Sequence, residues 1–320
     1  MKKIIGYISI FIALAMLPLA LFSSCVGPSG DGHGIICTSF AQYDFTLNIL
    51  GERADDFNVR YLLDSGVDMH SYSNSMSVSD KVDILGSELF ICIGGSSEKW
   101  IDGILKDSGK NGPRVIRLIN EVGDTVCALD DTHGHSHEND EHESDEHIWL
   151  SPKRAAMMCE AICDGICLVD PDNSDIYRKN CENYLKKLEK LDLEYEKVFK
   201  EAGDPYLVFA DRFPFIYLTE DYSIPYSAAF DGCSAESNAS FETVARLVSD
   251  IKKHGVETVI TLEKSRDAIA DTLIKQVGDL SLKSVSVSSM QNVTKKDIAN
   301  GLDYISEMEK NLEVFRKAMN

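Results

Sequence analysis

The feature that most constrains the fold is a long helical segment in the middle of the chain. Residues 174–202 contain neither glycine nor proline. The residues suited to burial recur there every three or four positions, at Tyr177, Cys181, Tyr184, Leu188, Leu191, Tyr195 and Val198. This spacing predicts one amphipathic helix, which Gly203 and Pro205 would end. At 1.5 Å per residue such a helix is about 43 Å long, so we expect residues 171–203 to link two lobes.

Short β-type runs alternate with helical patterns on both sides of this segment. The runs that favour strands are residues 34–39, 58–63, 89–93, 114–118, 206–209, 223–229, 258–262 and 284–288. We therefore predict an α/β fold with two β/α lobes, residues 34–170 and 204–320, each built on a parallel-type sheet. A last helix is predicted from Lys295 to Met319. Ligands of such sheets gather at the carboxyl ends of the strands, which places a metal-sized cleft between the lobes.

The first 24 residues have the layout of a secretory signal peptide. The chain begins Met-Lys-Lys, and Ile4 to Phe22 are almost all apolar. Cys25 follows two serines and resembles the lipidated cysteine of a bacterial lipobox. We expect residues 25–33 to tether a lipid-anchored protein to the outer face of the cytoplasmic membrane. A plain N-terminal membrane anchor is the alternative, since about 19 apolar residues nearly span a bilayer.

The charge of the chain argues against one class of partner, and acidic residues and histidines cluster in one segment. The formal net charge of −20 and the pI near 4.7 make nucleic acid an unexpected partner, because its phosphates require a basic surface. Five of the eight histidines, together with eight carboxylates, lie within residues 130–147. We call this segment the His-rich loop, and its composition is unable to form a core.

The cysteines of the predicted helix after Pro152 recur every four residues. Cys159, Cys163 and Cys167 therefore share one helix face, which favours a buried stripe over a metal site. No Cys-x-x-Cys pair occurs in the chain. We infer no disulfide framework, because a chain of this length does not depend on one for stability.

Two histidine motifs carry most of the functional signal. A G-x-D-x-H-x-Y stretch at residues 66–72 contains His70, and an H-x-W-L-x-P stretch begins at His147. Together they resemble the first and second ligand motifs of the metal-binding solute-binding proteins of bacterial zinc and manganese ABC importers. Glu98 and Trp100 lie in a further stretch that resembles this family, and the His-rich loop resembles its zinc-importing branch. The resemblance covers about residues 34–320.

The resemblance implies an extracytoplasmic solute-binding protein and not an enzyme. Such a protein, expected to be a monomer, captures a divalent transition metal and delivers it to an ABC permease. Neutral imidazole is a good zinc ligand, so His70 and His147 are the predicted ligands and Zn²⁺ the predicted metal, with Mn²⁺ as the alternative. An exported metal-dependent hydrolase and an adhesin are the alternative functions.

The C-terminal lobe departs from the family pattern at both expected ligand positions. The third ligand would fall on Ala210 and the fourth on Ser288, and neither side chain is a useful metal donor. Donors near the expected cleft loops are Glu236, Asp211 and Glu263. We favour Glu236, because it lies in a polar strand-to-helix loop without a basic neighbour, followed by Asp211.

The remaining histidines of the His-rich loop predict an auxiliary function. They are His133, His135, His137 and His142. A short His-rich tract is suited to weak, mobile metal capture, and the surrounding acids raise the local concentration of cations. The alternative is a solvated loop whose histidines have no function.

Overall fold

The computed structural model describes residues 33–106, 112–122, 145–231, 239–278 and 281–319. The first lobe is built on a parallel four-stranded sheet with the order β2-β1-β3-β4. Its strands are β1 His33–Cys37, β2 Phe57–Tyr61, β3 Leu89–Cys92 and β4 Arg114–Arg117. The strand β3 is buried along its whole length, because helices cover both faces of a parallel sheet.

Helices follow the strands of this first sheet as in other α/β folds. They are α1 Phe40–Leu50, α2 Val78–Gly86, α3 Trp100–Lys106, α4 Leu118–Glu121 and α5 Pro152–Val169. The first lobe also has short 3₁₀ helices, three of which lie at Met69–Asn74, Ser96–Glu98 and Ile148–Leu150. These three turns, or the residues next to them, carry the histidine motifs and the Gly94–Trp100 stretch.

The predicted long helix is present as α6, which runs from Ser174 to Glu201. Its buried residues include the whole stripe predicted from the sequence. Tyr184 donates a hydrogen bond to Asp44 of α1 at 2.9 Å, and Tyr195 donates one to the Met308 carbonyl near the chain's C-terminus at 2.7 Å. The helix therefore contacts elements that precede it and elements that follow it in sequence.

The second lobe repeats the architecture of the first. Its elements are β5 Leu207–Phe213, α7 Ile216–Asp221, β6 Tyr226–Asp231, α8 Phe241–His254, β7 Thr258–Leu262, α9 Ala268–Val277, β8 Lys283–Val287, α10 Lys295–Ala299 and α11 Tyr304–Ala318. The four strands are parallel in the order β6-β5-β7-β8. The predicted fold class, two parallel α/β lobes with one long helix, is confirmed.

The prediction of one closing helix from Lys295 to Met319 is wrong. The segment forms α10 and α11, which are separated by Gly301 in the left-handed region at φ +89°. Asp303 then caps α11, since its carboxylate accepts a hydrogen bond from the Ser306 N–H at 3.0 Å. A left-handed glycine followed by a capping aspartate ends one helix and begins the next, although the apolar spacing continues through both.

The cysteine stripe on α5 is part of the core. Cys159, Cys163 and Cys167 are all buried, and each is a free thiol. Cys181 of α6 faces them and directs its thiol at the Cys159 carbonyl, 3.7 Å away. None of the described helices combines the length and the apolar character that crossing a membrane requires.

Gly165 of α5 allows the helix to approach the first sheet closely. A Cβ at this position would lie 2.3 Å from Cδ1 of Ile116 on β4, whereas a Cβ at exposed Gly103 of α3 would meet nothing within 4 Å. We expect Gly165→Val to lower the free energy of unfolding by about 2 kcal/mol through overpacking. Gly103→Val is the matched control and should leave it almost unchanged. Urea unfolding measures both, and equal effects would contradict this packing.

Candidate metal centre

His70 lies in the loop that follows β2, at the start of a 3₁₀ helix. Asp68 caps this helix, and its carboxylate Oδ1 accepts a hydrogen bond from the His70 N–H at 2.9 Å. The preceding Gly66 has φ +74°, a conformation that favours glycine, and a Cβ there would lie 2.9 Å from the Thr294 side chain. The imidazole Nδ1 of His70 lies 2.5 Å from the Ser97 hydroxyl. The backbone and the ring of His70 are thus each held by a specific partner.

His147 is held in a similar way but is more deeply buried, with 1% of its surface exposed. One carboxylate oxygen of Asp145 accepts hydrogen bonds from both the backbone N–H and Nδ1 of His147, each at 2.8 Å. An ionised carboxylate accepts hydrogen bonds only, so the Nδ1 of His147 carries the hydrogen. Its lone pair is then on Nε2, which is the arrangement found in many metal-ligating histidines.

The two imidazoles converge although they lie 77 residues apart in sequence. Their Nε2 atoms are 3.3 Å apart, and their ring centres are 5.4 Å apart. Two nitrogens bound tetrahedrally to zinc at 2.0–2.1 Å are separated by about 3.3–3.4 Å. The separation of the two Nε2 atoms therefore matches that of two ligands on one tetrahedral zinc ion.

The segment that carries His147 also forms hydrogen bonds with the second lobe. Tyr217 of α7 donates a hydrogen bond to the Asp145 carbonyl at 2.6 Å. The indole N–H of Trp149 donates to the Ser289 carbonyl at 3.0 Å, and Tyr304 of α11 donates to the Trp149 carbonyl at 2.6 Å. His147 precedes the long helix in sequence, but the segment around it is hydrogen bonded to both lobes.

An ionic cluster around the buried Arg154 reinforces the same contact between the lobes. Arg154, only 3% exposed, pairs with Glu220 at 2.7 Å and with Asp221 at 3.1 Å. Its guanidinium lies over the ring of Tyr217, 4.3 Å from the ring centre, and Ser151 donates to Asp221 at 2.5 Å. Removing one partner of a buried ion pair is costly, so the start of α5 is firmly fixed against α7.

In the structure, the carboxylate of Asp211 is engaged in hydrogen bonds with the backbone of its own lobe. Its carboxylate accepts hydrogen bonds from the N–H of Arg212 at 2.8 Å and from the N–H of Leu262 at 3.2 Å. The guanidinium of Arg212 reaches across to the other lobe and lies 3.5 Å from the Asp68 carboxylate. A positive side chain therefore lies beside the residue that caps the His70 turn.

Of the other ligand positions weighed in the second lobe, one is apolar and the others form hydrogen bonds. Ala210 is buried in the core, and the Ser288 N–H donates to Asn311 at 2.8 Å. Glu263 accepts hydrogen bonds from the backbone and the hydroxyl of Ser289, and burial raises its pKa. Within the described ranges, no third His, Cys, Asp or Glu joins the two histidines in a metal-binding group.

Several predicted site residues lie outside the described residues. They are Cys25, Glu236, His133, His135, His137 and His142. The structure thus brings together His70 and His147, and it does not bring Asp211 to them.

Sequence reasoning missed the carboxylates that orient the two histidines. Asp68 and Asp145 each precede a histidine by two residues, and each accepts the backbone N–H of that histidine. Aspartate side chains commonly bond the backbone two residues further on. The repeated Asp-x-His spacing was therefore a readable signal for both turns.

Glu98 lies in the loop after β3 and is 3% exposed. Its carboxylate accepts a hydrogen bond from the Gly94 N–H at 2.7 Å and one from the Thr38 side chain. Burial nevertheless raises the pKa of Glu98 to about 7, with a smaller contribution from the nearby Glu146. The desolvation of the charged form outweighs the hydrogen bonds that favour it.

Comparisons with known proteins agree with the fold. The family model described as zinc-uptake complex component A, periplasmic, matches residues 35–318. A zinc-binding lipoprotein of Streptococcus pneumoniae, AdcA, is 29% identical over 99% of this chain, and the match spans 61% of the AdcA chain. The high-affinity zinc uptake system protein ZnuA of Bacillus subtilis is 27% identical over 91% of this chain and 88% of its own length.

A solved structure shows the same architecture. The Zn(II)-bound ZnuA-like domain of Streptococcus pneumoniae AdcA superposes with a TM-score of 0.71 and 26% sequence identity. The match covers 90% of this chain and 99% of that domain. This chain thus spans about three fifths of the length of the AdcA relatives and nearly all of their ZnuA-like domain.

The raised pKa of Glu98 makes the stability of the metal-free protein depend on pH. A carboxyl group with a folded pKa above its unfolded value stabilises the protein fully below the unfolded pKa, and this contribution is lost as pH rises through the folded pKa. For a change from 4.5 to about 7 the loss reaches about 3 kcal/mol. We therefore expect Glu98→Gln to gain stability relative to wild type between pH 5 and pH 8. Urea unfolding at pH 5 and at pH 8 measures this gain in stability.

The exposed Glu242 at the start of α8 provides the control for this experiment. Glu242→Gln should follow the wild-type pH dependence, because its carboxyl group faces water in both states. If the difference between Glu98→Gln and wild type is the same at pH 5 and pH 8, Glu98 does not have the raised pKa.

Proposed function

This chain belongs to the family of zinc-uptake complex component A, and from this membership we propose that it is an extracytoplasmic solute-binding protein that captures zinc for an ABC permease. Proteins of this family are solute-binding proteins and not enzymes, so the hydrolase alternative has no support. The curated relatives named above are zinc-binding or zinc-uptake proteins, which favours zinc over manganese.

The observation that carries the proposal is the convergence of His70 and His147. Their Nε2 atoms lie at the separation of two zinc ligands, and the other nitrogen of each ring is occupied by a hydrogen-bond partner. Two nitrogen lone pairs 3.3 Å apart repel each other unless a proton or a cation lies between them. A divalent metal relieves this repulsion and uses both lone pairs.

We assign the remaining coordination positions to oxygen donors. Glu236 is the first candidate, because the carboxylates of the other two candidates, Asp211 and Glu263, already accept hydrogen bonds. Asp211 is the second candidate and would have to give up its hydrogen bonds to the Leu262 and Arg212 backbone. Water can complete a four-coordinate zinc site.

In this proposal, the N-terminal segment anchors the protein and the His-rich loop gathers metal. Cys25 carries the lipid that holds the exported protein at the outer face of the cytoplasmic membrane, after removal of residues 1–24. The histidines of the loop at residues 130–147 gather metal close to His147. The protein acts as a monomer, with residues 34–170 and 204–320 as its two lobes.

Release of the metal requires only a small displacement of the lobes. His70 is held by residues of the first lobe only. The segment of His147 is hydrogen bonded to the Ser96–Ser97 turn of the first lobe and also to Tyr217, Ser289 and Tyr304 of the second. A shift of one lobe against the other therefore changes the distance between the two Nε2 atoms. Because α6 contacts both lobes, wide hinge opening is not needed and not expected.

Replacing both histidines tests the assignment directly. We expect His70→Ala combined with His147→Ala to weaken zinc binding by more than about 100-fold, the loss that removal of a single outer-shell partner can already reach. A competition titration against a chromophoric chelator measures the affinity. Zinc should also stop raising the melting temperature of this variant, since stabilisation by a ligand requires binding to the folded state.

His254 provides the matched control for this variant. It lies exposed at the end of α8, where its ring stacks on Tyr206 at 3.8 Å. His254→Ala should bind zinc as wild type does. Wild-type affinity in the double variant, with residues 132–143 deleted from both proteins, would show that the site lies elsewhere.

Glu236 and Asp211 are distinguished by a second pair of variants. We expect Glu236→Gln to weaken zinc binding about tenfold or more, because it removes a charged oxygen donor. Asp211→Asn should have a smaller effect on affinity but should lower stability, since its carboxylate holds two backbone N–H groups. Isothermal titration with zinc and urea unfolding measure both quantities, and the reverse ranking of affinities would exchange the two assignments.

A further inference from the structure

We infer that Glu146 is a positioning residue for the metal site and that it acts on His70 through Ser97. The inference rests on the proposed metal site and adds to it the residue that fixes the second imidazole. Glu146 lies between Asp145 and His147 in sequence, and it is 3% exposed. Its carboxylate points to the loop after β3 and not to the ring of its neighbour.

One oxygen of Glu146 holds that loop in place. Its Oε1 accepts hydrogen bonds from the Ser96 hydroxyl at 2.9 Å and from the Ser97 N–H at 2.6 Å. The hydroxyl of the same Ser97 lies 2.5 Å from Nδ1 of His70. A continuous path of two hydrogen-bonded contacts therefore joins the Glu146 carboxylate to the imidazole of His70.

Gly95 shows that the loop is shaped around this carboxylate. A Cβ at Gly95 would lie 2.3 Å from Cγ and 2.6 Å from Oε1 of Glu146. The backbone of Gly95 is in an ordinary extended conformation, so the glycine is needed for space and not for its conformational freedom. Any larger residue would displace the carboxylate from the Ser97 N–H.

The second oxygen of Glu146 shows that this arrangement is not explained by stability alone. Within the described residues its Oε2 is buried and has no hydrogen-bond partner. Leaving a buried polar atom unpaired destabilises a folded protein, and such atoms in native structures usually have a functional reason.

The three consecutive residues Asp145, Glu146 and His147 thus organise both halves of the site. Asp145 fixes the ring of His147 directly, and Glu146 fixes the ring of His70 through Ser97. Ligation of a metal through Nε2 leaves Nδ1 of His70 to carry the hydrogen and to donate it to the Ser97 hydroxyl. Partners of this kind raise metal affinity by orienting the ligand ring.

The test compares Ser97→Ala, Glu146→Ala, their combination, and Ser96→Ala as the matched control in the full-length protein. Ser96 donates to the same Glu146 oxygen but contacts neither histidine. We expect Ser97→Ala and Glu146→Ala each to weaken zinc binding by about 10–100-fold in a competition titration. Ser96→Ala should bind zinc nearly as wild type does. The double variant should be no weaker than Ser97→Ala alone, because Glu146 acts through Ser97.

A spectroscopic readout separates positioning from a merely structural effect. Long-range ¹H–¹⁵N spectra of the metal-free protein should show His70 as the Nε2–H tautomer in wild type and Ser96→Ala, because its proton lies between the two Nε2 atoms and its Nδ1 accepts from the Ser97 hydroxyl. Ser97→Ala should give a mixture of His70 tautomers. Glu146→Gln keeps an oxygen for the Ser97 N–H and should recover most of the affinity lost in Glu146→Ala. If Glu146→Ala folds poorly, the zinc affinity of Glu146→Gln still tests the inference.

The possible outcomes distinguish this inference from the proposed function. Additive losses in the double variant, or an unchanged His70 tautomer in Ser97→Ala, would overturn the path through Ser97 while leaving the metal site intact. Unchanged zinc affinity in His70→Ala would instead remove the proposed site itself. Zinc affinity that is lost equally in Ser96→Ala and Ser97→Ala would show that the loop only needs to be folded.

Discussion

Two imidazole nitrogens held 3.3 Å apart are the constraint on which the account of this protein depends. Such a pair is stable only if each ring is fixed from its far side and a proton or cation lies between the near nitrogens. Asp145 fixes one ring and Ser97 approaches the other at 2.5 Å. In each case an aspartate two residues earlier accepts the backbone N–H of the histidine. The two turns are distant in sequence, but each holds its histidine by the same local hydrogen bond.

Much of the fold could be predicted because its signals are local. The glycine-free stripe of α6 and the alternation of β-type runs with helical patterns are properties of neighbouring residues. Where the prediction failed, at the closing helix, the apolar spacing continued through Gly301 and hid a break that a left-handed glycine and a capping aspartate produce. Short motifs also indicate the two histidines, and their Asp-x-His spacing indicates the carboxylates that hold them.

The surroundings of the site could not be predicted, because they depend on contacts between distant residues. No local pattern indicates that Tyr217 would hold the Asp145 carbonyl or that Glu146 would close the loop around Gly95. The engagement of Asp211 with two backbone N–H groups also depends on the register of β5 against β7. The contact of Arg212 with Asp68 of the other lobe, at 3.5 Å, likewise joins residues that are distant in sequence. The second lobe, as far as it is described, contributes anchors for His147 more than it contributes metal donors.

Zinc K-edge X-ray absorption of the protein loaded with one equivalent of zinc tests the central claim most directly. The protein should carry serine in place of His133, His135, His137 and His142, so that the His-rich loop contributes no imidazole. The account predicts a first shell of nitrogen and oxygen at about 2.0–2.1 Å, with the outer-shell scattering of two imidazole rings. A shell of sulfur at about 2.3 Å, or the scattering of fewer than two imidazoles, would contradict it.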